Sequence, residues 1–245
     1  MSARFFTTDA LSLGDYTLEG PEAHHLAAVR RFNTGDRVTL FNGDGSEYQA
    51  EVLSIHKKSV VLQISEVTSI ARELKYPLVV ASALPKADRA DFLIEKLTEL
   101  GVSHFIPLLT ERSIVRPKQV IVEKLHRAVI EASKQCGRNT LMMVESPSNW
   151  QDLLERTDLP RIRMVLHQDS GANALTKPAE GTIVAIGPEG GFTPEEVEAA
   201  RQAGWKTHSL GPRILRVETA ALAAATLLSV ENDSSVGEQT GKNNQ

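Results

Sequence analysis

From Leu78 to Val230, short apolar runs alternate with stretches of helical periodicity, and that alternation restricts the possible folds more than any other feature of the chain. Leu78-Val79-Val80-Ala81-Ser82-Ala83-Leu84 has the unbroken apolar character of a strand covered on both faces. Asp91 to Leu100 follows, with Phe92, Leu93, Leu97 and Leu100 at helical spacing and Gly101 to end it. The pattern recurs as a strand over 105–109, a helix over 122–135 and further strands over 163–166 and 182–186. Strand-then-helix units in series predict a largely parallel sheet flanked by helices, an α/β fold. The last helix, over 218–230, carries Ala220, Ala221, Ala223, Ala224 and Ala225, small side chains that let another backbone approach closely.

The segment before Leu78 has a different rhythm. Arg37 to Phe41, Tyr48 to Leu53 and Val60 to Ile64 read as short strands, and Asn42-Gly43-Asp44-Gly45 supplies the turn residues of a tight hairpin. One helical interruption is expected over 22–29, and the whole reads as a small barrel or sandwich. The rhythm changes between residues 70 and 77, which predicts one domain over 1–73 and a second over 74–231. Residues 232–245 are polar and almost free of apolar side chains, so they are expected to form a disordered tail.

Charge and cysteine content narrow the function. The net charge of -4 means that a nucleic-acid partner would have to meet a local basic patch rather than a generally basic surface. Arg30-Arg31, Lys57-Lys58, Lys86 with Arg89, and the series Lys124, Arg127, Lys134 and Arg138 are the candidates. The single cysteine, Cys136, can form neither an intrachain disulfide nor a thiolate cage. His24 and His25 are adjacent, which puts them on different parts of a helix surface, and no metal site is predicted. No stretch approaches the roughly 20 apolar residues of a membrane span, so a cytoplasmic location without membrane attachment is expected.

The most specific segment is Ile186-Gly187-Pro188-Glu189-Gly190-Gly191-Phe192-Thr193-Pro194-Glu195-Glu196. It joins a buried strand to a helix whose start is written in the sequence: Thr193 as N-cap, Pro194 as first helical residue and Glu196 as the reciprocal partner of a capping box. A tight turn alone would need fewer than three glycines. Glycine also lets a ligand lie against backbone, and the carboxyl end of a parallel strand is a favoured ligand position. The spacing is neither a dinucleotide fingerprint nor a phosphate loop, and a glutamate in the loop suits a neutral or cationic guest. A second loop, Ser209-Leu210-Gly211-Pro212-Arg213-Ile214-Leu215-Arg216-Val217-Glu218-Thr219, runs directly into the alanine-rich helix.

Taken in order, GPEGGFTPEE and LGPRILRVETA resemble the SPOUT-class bacterial methyltransferases that form 3-methyluridine in 16S ribosomal RNA. Arg4-Phe5-Phe6, His24-His25-Leu26, the stretch Glu95 to Val102, Thr110-Glu111-Arg112-Ser113 and Glu131-Ala132-Ser133-Lys134-Gln135 carry the resemblance along nearly the whole chain; Cys136 stands where serine or threonine is frequent. The resemblance implies a C-terminal trefoil-knot domain, an exception to the unknotted rule for protein chains, and an N-terminal PUA-like β-barrel. It implies S-adenosyl-L-methionine as cofactor. On matching positions the pocket would be lined by Leu166 and His167, by Gly187, Pro188, Glu189, Gly190 and Gly191, and by Leu210, Gly211, Ile214, Leu215 and Arg216.

Methylating a uridine nitrogen requires a group to manage the imide proton or the resulting charge. Glu218 is a candidate base and Arg216 a candidate cation, while a first-turn acid complementing the helix dipole and a phosphate contact are their structural alternatives. RNA contacts are expected at Arg4, Arg30, Lys86, Arg112, Lys134 and Arg138. The implied partners are 16S ribosomal RNA in the assembled small subunit and a second copy of the chain. A non-catalytic RNA-binding or ribosome-assembly protein is the competing reading, against which both sets of loop glycines stand.

Overall fold

The computed structural model describes residues 3–86, 88–116, 119–168, 173–176 and 179–230; the tail expected over 232–245 lies outside them. The first sheet is built from β1 (Arg4–Phe6), β2 (Gly14–Glu19), β3 (Arg37–Phe41), β4 (Ser46–Ile55) and β5 (Ser59–Ser69), in the order β1-β3-β4-β5-β2. Only β1 and β3 run parallel; the remaining pairs are antiparallel. Register shifts at Gln49/Ala50 and Val52/Ser54 bend the long β4–β5 ribbon, as bulges do. Phe5, Leu18, Leu26, Val38, Leu40, Val52, Val60 and Leu62 fill its core. The helix expected over 22–29 is split: α1 (Gly20–His24) passes into a π-helical turn, His25–Val29, which hydrophobic periodicity does not distinguish from an ordinary helix.

The second sheet follows as β6 (Leu78–Ser82), α2 (Asp88–Glu99), β7 (His104–Leu109), α3 (Gln119–Cys136), β8 (Met143–Val144), β9 (Ser148–Asn149), α4 (Trp150–Glu155), β10 (Ile162–Leu166), β11 (Asn173–Ala174), β12 (Thr182–Ile186), α5 (Pro194–Gln202), β13 (Lys206–Ser209) and α6 (Val217–Ser229). Its order is β11-β13-β10-β12-β6-β7-β8, with β9 also on β7, and its pairs are parallel. The unbroken apolar run of β6 has the expected cause. Leu78 and Val80 pack with α2, α3 and α6 through Leu93, Leu97, Leu125, Val129 and Ala224. Val79 and Ala81 pack on the other face with Trp150, Leu153, Val197 and Ala200 of α4 and α5. The fold is the α/β class expected. Among the described residues no helix is long and apolar enough to cross a membrane.

Ion pairs join the two sheets. Arg4 donates to Glu47 at 2.5 Å, to the Asn139 side chain at 2.5 Å and to the Arg138 carbonyl at 3.2 Å, while Arg72 pairs with the same Glu47 carboxylate. Arg138 is 3% exposed. It forms a bidentate pair with Glu73 at 3.0 and 2.5 Å and donates to the carbonyls of Thr98 and Val102 at 2.9 and 3.0 Å, at and just beyond the end of α2. Lys134 reaches Glu22 and Glu131 at 2.8 and 2.7 Å. Burial alone would depress its ammonium pKa, but Glu131 and Glu22 override that and hold it above the usual lysine value. Arg4, Lys134 and Arg138 were expected on an RNA surface. In the structure all three are largely buried and paired with protein groups: Arg4 and Arg138 with carboxylates and carbonyls, and Lys134 with carboxylates.

Candidate functional site

β10, β12 and β13 are parallel neighbours, so the loops that leave their carboxyl ends emerge together. These loops enclose a cleft of about 380 Å³, within the range of roughly 300–1,000 Å³ typical of small-molecule sites. Leu166 and His167 line it from the first loop, Gly187 to Gly191 from the second, and Leu210, Gly211, Ile214 and Leu215 from the third. Arg216, expected with them, does not line it. Arg112, Gln168, Ile186, Phe192, Arg213, Val217 and Ala220 complete the wall. Arg112 comes from the loop after β7, a segment no local pattern connects to the glycine loops.

Each glycine of the second loop has its own reason. Gly191 sits at φ 67°, and its N–H donates to Pro188 O at 2.8 Å to close the turn. At Gly187 a Cβ would lie 3.1 Å from the Phe192 ring, and at Gly190 it would lie 3.3 Å from Cδ of Arg112. Gly191 and Gly211, at φ 67° and 101°, differ from these: a Cβ there would meet nothing within 4 Å. Both line the cleft, so their uncovered backbone faces it. Phe192 is itself held by Trp150, ring centroids 4.6 Å apart, with Trp205 behind at 5.8 Å.

The helix start read from the sequence is present in full. Thr193 Oγ1 accepts from the Glu196 N–H at 3.2 Å, and Glu196 Oε2 accepts from the Thr193 N–H at 2.9 Å. The second oxygen of Glu196 accepts from the Glu111 N–H at 2.8 Å, which ties the loop after β7 to the glycine loop. Across the cleft, Gln168 donates to Arg213 O at 2.6 Å and His167 N–H to His208 O at 2.9 Å, so the first and third loops are also joined. Ile214, 85% exposed, stands at the rim.

The two residues expected to do chemistry lie beside the cleft rather than in its wall. Arg216 is the exposed N-cap of α6, with extended backbone (φ -67°, ψ 156°). Glu218, in the first turn, is 8% exposed; its Oε1 is 3.2 Å from Arg89 of α2, and its Oε2 is buried with no protein partner. Of the expected RNA contacts, Arg30, Lys86 and Arg112 are exposed.

Residues 72–229 match the model of the RNA methyltransferase domain, and residues 18–65 that of the RNA methyltransferase PUA domain. The chain is 33% identical over 239 residues to ribosomal RNA small subunit methyltransferase E of Bacillus subtilis (strain 168), covering 91% of this chain and 93% of the relative. The protein of the same name from Synechocystis is 33% identical, over 85% of this chain and 70% of its own length. Among solved structures, ribosomal RNA small subunit methyltransferase E from Neisseria gonorrhoeae bound to S-adenosyl methionine superposes with a TM-score of 0.84 at 30% identity, covering 92% of this chain and 96% of that one.

Proposed function

The chain belongs to the RNA methyltransferase family, and from that premise we propose that it transfers the methyl group of S-adenosylmethionine to N3 of a uridine in 16S ribosomal RNA. It is an S-adenosylmethionine-dependent rRNA methyltransferase, with a C-terminal domain of the SPOUT class and an N-terminal PUA domain. The observation that carries the reading is the cleft at the carboxyl ends of β10, β12 and β13.

The residues present fit the cofactor. Leu166, Leu210, Ile214 and Leu215 offer apolar surface to an adenine, Glu189, Gln168 and Arg112 offer polar groups, and Gly191 and Gly211 leave backbone bare. When bound, the cofactor supplies a methyl group activated by its sulfonium. The chain's part is to orient the two reactants, exclude water and stabilise the uridine imide as it loses its proton. To Arg216, the exposed N-cap of α6 beside the cleft residues Leu215 and Val217, we assign contact with the uridinate oxygens. Glu218 faces Arg89 instead, so we assign it to anchoring the start of α6 on α2.

Arg30 and Lys86 are the exposed cations we assign to RNA phosphates in the assembled small subunit, in the cytoplasm. Phe92 of α2, Leu227 of α6 and Val230 just beyond it, all exposed apolar side chains, support a homodimer packed across these helices; light scattering that gave a monomer at micromolar concentration would remove that part. Calorimetric titration tests the main reading: absence of S-adenosylmethionine binding well above micromolar levels would sink it. Mass mapping of 16S ribosomal RNA from a deletion strain should show one uridine methyl group missing, restored by the intact chain.

A further inference from the structure

Arg112 is held in the cleft wall by more than its own side chain. The Thr110 N–H donates to Ser113 Oγ at 2.9 Å and the Ser113 N–H to Thr110 O at 3.1 Å, closing a turn around it. Glu111 N–H on Glu196 fixes that turn to the start of α5. The Arg112 stem lies against Gly190, and Nη1 donates to Gly190 O at 2.7 Å. A guanidinium has five N–H donors in a fixed fork. Among the described residues no carboxylate lies within ion-pair distance of Arg112, although the side chain borders the cleft. Among the described residues, the cations lining the cleft are Arg112 and Arg213, and the acid is Glu189, the residue next to the one Arg112 grips. A positive and a negative side chain thus meet at the glycine loop, while the apolar surface belongs chiefly to the first and third loops.

We propose that Arg112 receives the carboxylate of the cofactor's amino-acid end, with Glu189 opposite its ammonium, which rests on the methyltransferase reading above. A planar guanidinium already oriented by Gly190 O matches a carboxylate bidentately, and such a contact is stronger than a neutral hydrogen bond. Arg112 therefore selects ligands that carry the amino-acid end, and links cofactor occupancy to the loop after β7.

Two ligands separate this role from its rivals: S-adenosylhomocysteine, and 5′-methylthioadenosine, which keeps the nucleoside and lacks the amino-acid end. By isothermal titration, Arg112→Gln should weaken S-adenosylhomocysteine by roughly tenfold or more and leave methylthioadenosine within about twofold, the latter also showing that the cleft is intact. Equal losses for both ligands would reduce Arg112 to a tie on Gly190. Unchanged affinity for both, with weaker RNA binding and a shallower salt dependence, would make it a phosphate contact. An S-adenosylhomocysteine-specific loss in Arg213→Gln but not in Arg112→Gln would move the carboxylate to the other cation. Should Arg112→Gln fail to fold, Arg112→Lys, which keeps charge but not the fork, should show the same ligand-specific loss at several-fold. Failure of the wild type to bind either ligand would instead defeat the methyltransferase reading.

Discussion

At Gly187 the constraint is space. The Phe192 ring that a Cβ would meet at 3.1 Å is pinned by Trp150, and the carbonyl carbon of Gly191 stands 3.3 Å away on the same side. Gly187→Ala should therefore destabilise the protein by about 1–3 kcal/mol, the usual cost of overpacking, and weaken S-adenosylmethionine binding because the loop must move. A melting temperature equal to wild type would show that the loop yields freely. Arg216 and Glu218, two residues apart, should respond to very different degrees. Under the role proposed for Arg216, that of facing the developing negative charge, Arg216→Ala should lower turnover by about 10²-fold or more with little change in cofactor affinity. Glu218→Gln should lower turnover by less than tenfold, since a true general base accounts for about 10²–10⁴-fold. Its cost in stability should stay near ~1 kcal/mol because Arg89 keeps more than a third of its side chain in water and the pair is screened. A hundredfold fall in turnover with cofactor affinity intact would give Glu218 the proton after all.

At the scale of elements, the start of α5 was legible residue by residue, since N-cap, proline and reciprocal glutamate are local signals. Thr193→Ala should cost about 1 kcal/mol, and because Glu196 also holds Glu111, the loss should spread to the turn that carries Arg112. Urea unfolding followed by tryptophan emission would measure it well: Trp150 and Trp205, the two tryptophans of the chain, both lie under the glycine loop. An unchanged midpoint would mean the cap is redundant. The long strands and helices of the parallel sheet were equally legible, since each carries its own periodicity. β13 was not. Lys206-Thr207-His208-Ser209 has no apolar residue, and it is a strand because β10 and β11 offer it ladders on either side, with His208 buried between them. α4, six residues long, is likewise made by packing, through Trp150, Leu153 and Leu154. The pocket positions in the two loops came from segments with strong local character, Leu166 and His167 came only from the resemblance, and Arg112 joined the wall only when the chain folded.

For the whole molecule the decisive interactions are the least local. Glu47 of the first sheet accepts from Arg4 and from Arg72, the latter in the linker before the second sheet, and Arg4 reaches across to Asn139. No window of sequence could pair them, which is why Arg4 read as an RNA contact. Burial would push the Glu47 carboxyl up, but Arg72 and Arg4 override it and hold its pKa below the usual 4.5. A depressed carboxylate pKa stabilises the fold above the unfolded value and loses that contribution as pH falls through the folded one. The contribution of Glu47 is therefore complete at neutral pH and is lost only below about pH 4.5. Glu47→Gln should cost about 2–3 kcal/mol at pH 7, under the ~3–5 kcal/mol of a fully buried pair because Arg72 is 37% exposed. The same variant should show a shallower loss of melting temperature below about pH 4.5 than the wild type, since it has no carboxylate there to protonate. If the two acid limbs ran parallel, Glu47 would not be what titrates, and its pair with Arg4 and Arg72 would hold the two sheets together without setting their acid limit.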